Sequence, residues 1–560
     1  MNGLIMMIIA IIVLGGAYLI YGRYLANLWG IDENAKTPAY EMEDGVDYVP
    51  ADTNVVFGHQ FASIAGAGPI NGPIQAAIFG WVPVLLWILI GGVFFGAVQD
   101  FASMYASVKN KGRTIGYIIE LYIGKIGKKL FMLFTWLFSI LVVAAFADVV
   151  CKTFNGFSDD GTSTILANGQ VAMTSCLFIV AAVGLGMYLR KSKANKWINT
   201  IVAIAILVVC IAVGLFVPIY IGTGAWHIIV FIYIAIASIA PVWILLQPRD
   251  YLNSYLLVAM IVASVVGVLI ANPTMELQAF NGWNVDGQTV FPYLFVTIAC
   301  GAVSGFHSLV SSGTASKQIK NEKNMLPVSF GAMLMESMLA VIALIAVGAI
   351  AKGGVIPDMT QPVIFATGVA GFLVKLGIPE SISMTLITLA VSAFALTSLD
   401  SVARIGRLAF EEFFLDADTD EENMSGITKV CTNKYFSTFI TLAVAFALAK
   451  VGYKDIWPLF GSANQLLSAL ALIACAVFFK KTNRQGWMLW IPMIIMLLVT
   501  LSMLCITIYT KFTGVINATT TNMGGDILQL AFAVALFILG IIVSISGLKA
   551  LTEKVNTAKA

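Results

Sequence analysis

Long runs of apolar residues, separated by short polar segments, recur along the whole chain. A helix needs about 20 apolar residues to cross the hydrocarbon core of a bilayer, and by that measure the pattern predicts about fifteen membrane-spanning helices. The predicted limits are 4–23, 55–80, 81–108, 127–150, 171–189, 197–221, 225–246, 251–271, 291–312, 326–351, 381–400, 435–451, 456–479, 487–509 and 527–548. The moderately apolar segment 354–377 contains Pro357 and Pro362, and we expect it to form an outside hairpin or a re-entrant piece.

The composition agrees with this pattern. Of the 560 residues, 59% are hydrophobic and 11% are charged, and the mean hydropathy is +0.91. A soluble globular protein carries about 25% charged residues, so the chain is predicted to be an all-α polytopic membrane protein. Its seven cysteines show no CxxC spacing and lie mostly in apolar runs, which favours packing roles.

Lysine and arginine are concentrated in alternate loops. They follow the third, fifth, ninth, eleventh, thirteenth and last predicted spans, whereas the loops between these are poor in positive charge. In membrane proteins the cytoplasmic loops carry the excess of lysine and arginine. The alternation therefore predicts a cytoplasmic C-terminus and, with fifteen spans, an N-terminus outside.

The second predicted span contains a dense group of helix-breaking residues. Residues 57–73 read FGHQFASIAGAGPINGP, with three glycines and two prolines in the second half. Glycine costs a helix about 1 kcal/mol and proline about 3 kcal/mol, so a break is expected here. A break leaves backbone groups unpaired, which lipid tolerates only where protein covers them or where they line a cavity. The stretch is either a kinked packing helix or part of a transport site.

Two further spans are interrupted. Pro241 falls inside the span 225–246, and Gln247-Pro248-Arg249-Asp250 is expected to end that helix. The span 291–312 runs into the serine-rich sequence SGFHSLVSSGTASKQ. By the charge rule, the broken spans 55–80 and 225–246 cross in opposite directions, five spans apart. This spacing predicts an inverted repeat of two five-helix units, 55–221 and 225–414, with 1–54 before them and C-terminal helices in 435–560.

Six stretches of this sequence carry a family resemblance. They read DYVPADTNVVFGHQFASIAGAGPINGPIQAAIFGW, FFGAVQDFASMYASVKNKGRTIGYIIE, PVWILLQPRDYLN, SGFHSLVSSGTASKQI, ALTSLDSVARIGR and WPLFGSANQLLSALAL. In order and content, from about residue 47 to about residue 480, they resemble the carbon starvation protein A (CstA) family. The resemblance implies a cytoplasmic-membrane transporter of peptides, or of pyruvate with protons. It also implies a LeuT-like five-plus-five core, as in the amino acid–polyamine–cation superfamily. The chain is shorter than the long members of that family.

In a LeuT-like core the two broken helices enclose the substrate, whose carboxylate is expected to face the helix N-terminus that follows a break. The predicted substrate-binding residues are Ser63, Gly66, Ala67, Gly68, Asn71, Gln75, Ser238, Pro241 and Trp243. Each polar side chain among them has an alternative role in contacts between helices.

Ionisable groups inside a membrane are costly and mark functional sites. The predicted ion-coupling residues are His59, Asp100, His307, Ser311, Ser312 and Thr314. The alternative for the two histidines and Asp100 is a role as hydrogen-bonded packing residues, and for the hydroxyls pairing with helix carbonyls. A sodium ion is a candidate at Ala65, Ser311 and Ser312, because hard cations take oxygen ligands.

Three acidic positions remain ambiguous or open. Asp148 and Asp400 lie near predicted span ends, where they are either solvated or paired with Lys152 and Arg404. Asp400 and Arg404 together are a candidate inside gate. Glu336 stands alone in an apolar helix, and the sequence assigns it no role.

The sequence thus predicts a secondary active transporter in the cytoplasmic membrane of a prokaryote, importing a pyruvate-like carboxylate or short peptides with protons or sodium. A peptide-specific transporter, and a sensor or channel without ion coupling, are the alternatives. No Walker motif, HExxH or His/Cys cluster is present, which argues against ATP-driven transport and an enzyme. The expected partners are the substrate, the coupling ion and the lipid bilayer. No cofactor and no nucleic-acid partner are expected. The sequence does not indicate the oligomeric state.

Overall fold

The computed structural model describes residues 2–45, 47–158, 161–192, 195–241, 244–415, 426–450, 452–517 and 523–553. Within these ranges eleven helices are long and apolar enough to cross a membrane. The only sheet in the described ranges is a two-stranded antiparallel hairpin of β1 (Asn284–Val285) and β2 (Gln288–Thr289). The chain is an all-α polytopic membrane protein.

The helices follow one another through the chain with short connections. They are α1 (Gly3–Gly16), α2 (Arg23–Trp29), α3 (Pro38–Glu41), α4 (Thr53–Ile64), α5 (Gly68–Ala76), α6 (Trp81–Gly91), α7 (Ala97–Lys109), α8 (Ile115–Tyr122), α9 (Lys125–Phe154), α10 (Leu166–Lys191), α11 (Lys196–Phe216), α12 (Thr223–Ile239), α13 (Leu246–Ala271), α14 (Phe295–Thr297), α15 (Gly305–Gly313), α16 (Ala332–Ile350), α17 (Gln361–Lys375), α18 (Glu380–Phe414), α19 (Gly426–Cys431), α20 (Lys434–Ala449), α21 (Tyr453–Lys481), α22 (Trp487–Ile516) and α23 (Met523–Thr552). Wider π-helical turns connect α1 to α2 and α6 to α7, and another leads into α16.

Each of the fifteen predicted spans corresponds to a helix or a broken helix. The break in the second span falls between α4 and α5, where Pro69 occupies the first turn of α5. Proline suits that position because its missing N–H has no intrahelical partner there. In the segment 354–377 the structure has α17, whose 15 residues are too few to cross a bilayer.

Two predicted boundaries are wrong. Gln247-Pro248-Arg249-Asp250 does not end a helix but lies in the first turns of α13, which runs unbroken to Ala271. The span predicted to end at Asp400 continues to Phe414 as the 35-residue α18. Asp400 is fully buried in the middle of this helix, so it is not a solvated residue at a span end.

The start of α1 and the end of α23 lie at opposite faces of the helix bundle. Gly3 N donates to Pro273 O (2.9 Å), which places the N-terminus beside the loop that contains the hairpin. At the other face, Lys480 Nζ donates to Leu551 O near the end of α23, and Lys481 Nζ donates to Tyr122 O (2.7 Å). The latter face carries the loops rich in lysine and arginine.

Helices α9 and α18 make the most extensive helix–helix contact of the described chain. Their close approach uses a small residue, since a Cβ on Gly406 would lie 2.9 Å from Ser139 Cβ. Because protein rather than lipid covers α18, it accommodates polar side chains along its length.

Candidate functional site

Two helix breaks face each other in the interior. The first is the α4–α5 break, and the second lies between α14 and α15. A Cβ on Gly68 would lie 2.4 Å from Cys300 Sγ, and a Cβ on Gly72 would lie 2.5 Å from Thr297 O. Only glycine permits contact this close, so the two broken helices are pressed together at their breaks.

The sequence predicts the break near Pro241 as the partner of the α4–α5 break. Helix α18 contacts both of them. On one side Ser398 Oγ donates to Ser63 O (3.0 Å). On the other side Arg404 donates to the carbonyl oxygens of Ala237 and Ala240, at the end of α12.

The other residues predicted near these breaks differ in their burial and in their hydrogen-bond partners. Ser238 Oγ lies 3.5 Å from Ala403 O of α18, and Pro241 is exposed just after α12. Trp243 lies outside the described residues. Asn71 on α5 is fully buried, and neither of its amide atoms has a hydrogen-bond partner in the described structure.

A cavity of about 130 Å³ lies between α4, α9, α15 and α18. Its lining includes the predicted residues His59, Ser312, Thr314 and Arg404. The remaining lining residues are Asp47, Thr114, Gly116, Met132, Thr135, Leu246, Leu309, Val310, Gly313, Lys317, Ser401, Ile405, Leu408, Ala409 and Glu412. Asp47, Thr114 and Lys317 belong to loops of the positively charged face, so the cavity reaches toward that face.

Arg404 projects into this cavity from α18. Its guanidinium donates to Ala237 O (3.0 Å) and Ala240 O, while its Nε has no hydrogen-bond partner. Across the described ranges, no carboxylate forms an ion pair with it. The predicted Asp400–Arg404 pair is not formed in this structure. Asp47 and Glu412 line the same cavity, but neither forms a direct ion pair with Arg404.

Asp400 instead pairs with Arg249 in a buried charge network. Arg249 is 1% exposed and contacts Asp400 and, through Nη2, Asp250 Oδ1 (2.9 Å). Tyr233 Oη donates to Asp400 Oδ2 (2.5 Å) and accepts from Arg249 Nη1 (2.6 Å). Sequence reasoning assigns no site role to Arg249 and Asp250, because it predicts a turn outside the membrane helices at these positions.

His59 joins this network to the cavity. Its Nδ1 lies 2.9 Å from Asp250 Oδ2, and its Nε2 lies 3.2 Å from Thr314 Oγ1. His59 is 4% exposed and is hydrogen-bonded at both ring nitrogens. Thr314 also donates to Val310 O (3.0 Å). The contact between His59 and Thr314 therefore connects α4 to the end of α15 beside the cavity.

A second buried cluster unites three more ionisable residues. His307 Nδ1 lies 3.0 Å from Asp100 Oδ2, and His307 Nε2 lies 3.1 Å from Glu336 Oε2. The sequence predicted Asp100 and His307 as ion-coupling residues but did not predict that they meet. The sequence assigns no function to Glu336, because the apolar pattern of α16 does not show which residue of another helix Glu336 contacts.

The remaining candidates stay predictions. Ser311 Oγ accepts a hydrogen bond from Gln60 Nε2 (2.7 Å), and Ser312 Oγ donates to Ser308 O (2.7 Å). Ala65 and Ala67 are buried at the α4–α5 break, and Gln75 is half-buried on α5. A Cβ on Gly66 would lie 2.8 Å from Ser398 Oγ, so α18 packs directly against this break. Asp148 pairs with Lys152 (2.8 Å) as one alternative foresaw.

Comparison with known proteins decides the family. The family model described as "Carbon starvation protein CstA" matches residues 2–363 and 354–503. The chain belongs to the CstA family. The peptide transporter CstA of Escherichia coli (strain K12) is 30% identical over 87% of this chain and 78% of that protein.

Two other relatives are named for different substrates. The peptide transporter CstA of Bacillus subtilis (strain 168) is 29% identical over 98% of this chain and 97% of its own length. The pyruvate/proton symporter BtsT of E. coli (strain K12) is 30% identical over 85% of this chain and 77% of its own length. Similar identity to relatives with different substrates means that identity alone does not select a substrate for this chain.

Proposed function

We propose that this CstA-family protein is a secondary active transporter that imports a small carboxylate, driven by a proton or sodium gradient. It would act in the cytoplasmic membrane of a prokaryote, with the positively charged face and the C-terminus in the cytoplasm. Family membership and the names of the relatives, all transporters, support transport rather than enzymatic activity.

The observation that carries this proposal is the position of Arg404 in the cavity. A guanidinium presents a planar fork of donors that fits a carboxylate, and such charged hydrogen bonds are about twice as strong as neutral ones. An unneutralised charge in a membrane interior is costly and is retained where it has a function. A carboxylate entering the cavity would pair directly with the Arg404 guanidinium, which none of the described carboxylates does.

The volume of the cavity favours a small substrate. An apolar cavity of about 150 Å³ holds one benzene molecule, and pyruvate is of similar size. The 130 Å³ cavity therefore suits a pyruvate-like carboxylate in this conformation. A short peptide is the second candidate, because several relatives are named peptide transporters, and it would require a wider conformation of the same cavity.

Uptake into sealed proteoliposomes tests the substrate class. Labelled pyruvate and labelled dialanine would be offered separately, each under an imposed proton gradient and then a sodium gradient. We expect pyruvate to be taken up faster than dialanine at equal concentration. Uptake of dialanine alone would replace the carboxylate proposal with the peptide one. Uptake of neither, by correctly folded protein, would contradict both.

A further inference from the structure

Three ionisable side chains meet in the interior at a place separate from the cavity. Asp100 on α7, His307 on α15 and Glu336 on α16 are each 0% exposed. His307 stands between the two acids at 3.0 and 3.1 Å, and the contact with Asp100 is an aligned hydrogen bond. Asp100 Oδ1 and both oxygens of Glu336 have no hydrogen-bond partner in the described chain.

Apart from His307, no basic side chain of the described residues forms an ion pair with Asp100 or Glu336. The other titratable side chains on the neighbouring helices contact other groups. The Cys300 thiol contacts Ser304 Oγ (3.9 Å) and Asn464 Nδ2 (3.5 Å). Tyr105 Oη donates to Trp29 O, Cys475 contacts Ser103, and His59 is bound to Asp250 and Thr314. The cluster must therefore balance its own charge.

The charge count of the cluster leaves room for one exchangeable proton. With an imidazolium and two ionised carboxylates, the formal sum is plus one and minus two, which is minus one. One further proton on a carboxyl oxygen brings the sum to zero. Because an uncompensated charge in a low-dielectric interior is costly, the enclosed cluster favours the neutral, protonated form. Access of water would permit release of that proton.

The cluster is linked mechanically to both the break and the cavity. Gln99, next to Asp100, donates through Nε2 to Ser304 O (2.6 Å), in the break before α15. Helix α15 carries His307 and, further along, Val310, Ser312 and Gly313, which line the cavity. A change in the attraction between His307 and its two acids would thus act on the helix that forms one wall of the cavity.

We propose that the Asp100–His307–Glu336 cluster carries the proton that drives transport, with Glu336 as the group that takes up and releases it. The inference rests on the proposed function and names its coupling ion. Water on one side of the membrane gives a proton to the Glu336 carboxylate, and the carboxyl returns it to water on the other side. No bond to the substrate is made or broken.

Glu336→Gln tests this directly, because it keeps the shape of the side chain but cannot exchange a proton. Wild type and variant would be reconstituted and assayed with labelled pyruvate, or with dialanine if only that is transported. We expect the variant to lose accumulation driven by a proton gradient while it still exchanges labelled for unlabelled substrate across the membrane. The control is Glu276→Gln. Glu276 is an exposed acid in the loop that contains the β1–β2 hairpin, and this variant should behave as wild type.

The outcomes separate this inference from the proposed function. Accumulation by Glu336→Gln equal to that of wild type would overturn the inference, and so would loss of exchange together with accumulation in folded protein. A wild type driven only by sodium would overturn it too but leave the transporter proposal standing. If Glu336→Gln is not recovered folded, Asp100→Asn tests the cluster by the same two assays.

Discussion

Arg404 is the residue on which the substrate assignment depends. Its guanidinium is held by two backbone carbonyls of α12 and faces the cavity without a carboxylate partner among the described residues. A hydrogen bond to a charged group contributes about 1.5–3 kcal/mol. We expect Arg404→Gln to raise the KM for pyruvate by about 10- to 100-fold, as that energy implies. Arg404→Lys should be less severe, because it keeps the charge but loses the planar fork.

Initial uptake rates over a range of pyruvate concentrations measure this effect. Arg23→Gln is a suitable control, because Arg23 is an exposed arginine on α2, away from the cavity. An unchanged KM in Arg404→Gln, with the protein folded and inserted, would remove Arg404 from the substrate site.

The sequence predicts several of the ionisable residues of the site, but it does not predict which residues they contact. His59, His307 and Asp100 stand out because ionisable groups are rare in apolar helices. That His307 meets Glu336, or that Asp400 meets Arg249 rather than Arg404, depends on contacts between residues far apart in the chain. Arg249 was missed because its neighbouring proline and charges resemble a turn, although the first turn of a helix accepts both.

At the scale of elements, the facing breaks depend on glycines that have no room for a side chain. A Cβ on Gly72 would lie 2.5 Å from the backbone oxygen of Thr297, an atom that cannot rotate away. We expect Gly72→Ala to force the two broken helices apart, lowering both the thermal unfolding midpoint and the uptake rate. Gly184→Ala on α10 is the matched control, because nothing lies within 4 Å of its position. Equal stability and uptake in both variants would show that the breaks do not require this contact.

The positions of the breaks were predictable because glycine and proline act locally on a helix. The pairing of the α4–α5 break with the α14–α15 break was not, since nothing in either segment identifies the other. The length of α18 was underestimated for a different reason. Asp400 and Arg404 resemble a membrane boundary by hydropathy, but α9 and α12 cover them and let the helix continue.

At the scale of the whole molecule, the apolar pattern and the alternating charges predicted the main features of the architecture. The structure confirms the helix-by-helix order and places Gly3 and Leu551 at opposite faces. The division into two inverted five-helix units stays a prediction, because no residue-level similarity marks the repeats. Transport by such a molecule requires that the cavity now reaching the positively charged face also be reachable from the other face.

If an ion gradient drives this protein to concentrate a small carboxylate, accumulation inside a sealed vesicle measures that activity. Labelled pyruvate would be followed in sealed proteoliposomes with a proton or sodium gradient imposed, and again after an ionophore collapses the gradient. We expect an internal concentration above that of the medium, which falls to equality when the gradient collapses. Entry that only equalises the two concentrations, with or without either gradient, would contradict it and indicate a channel.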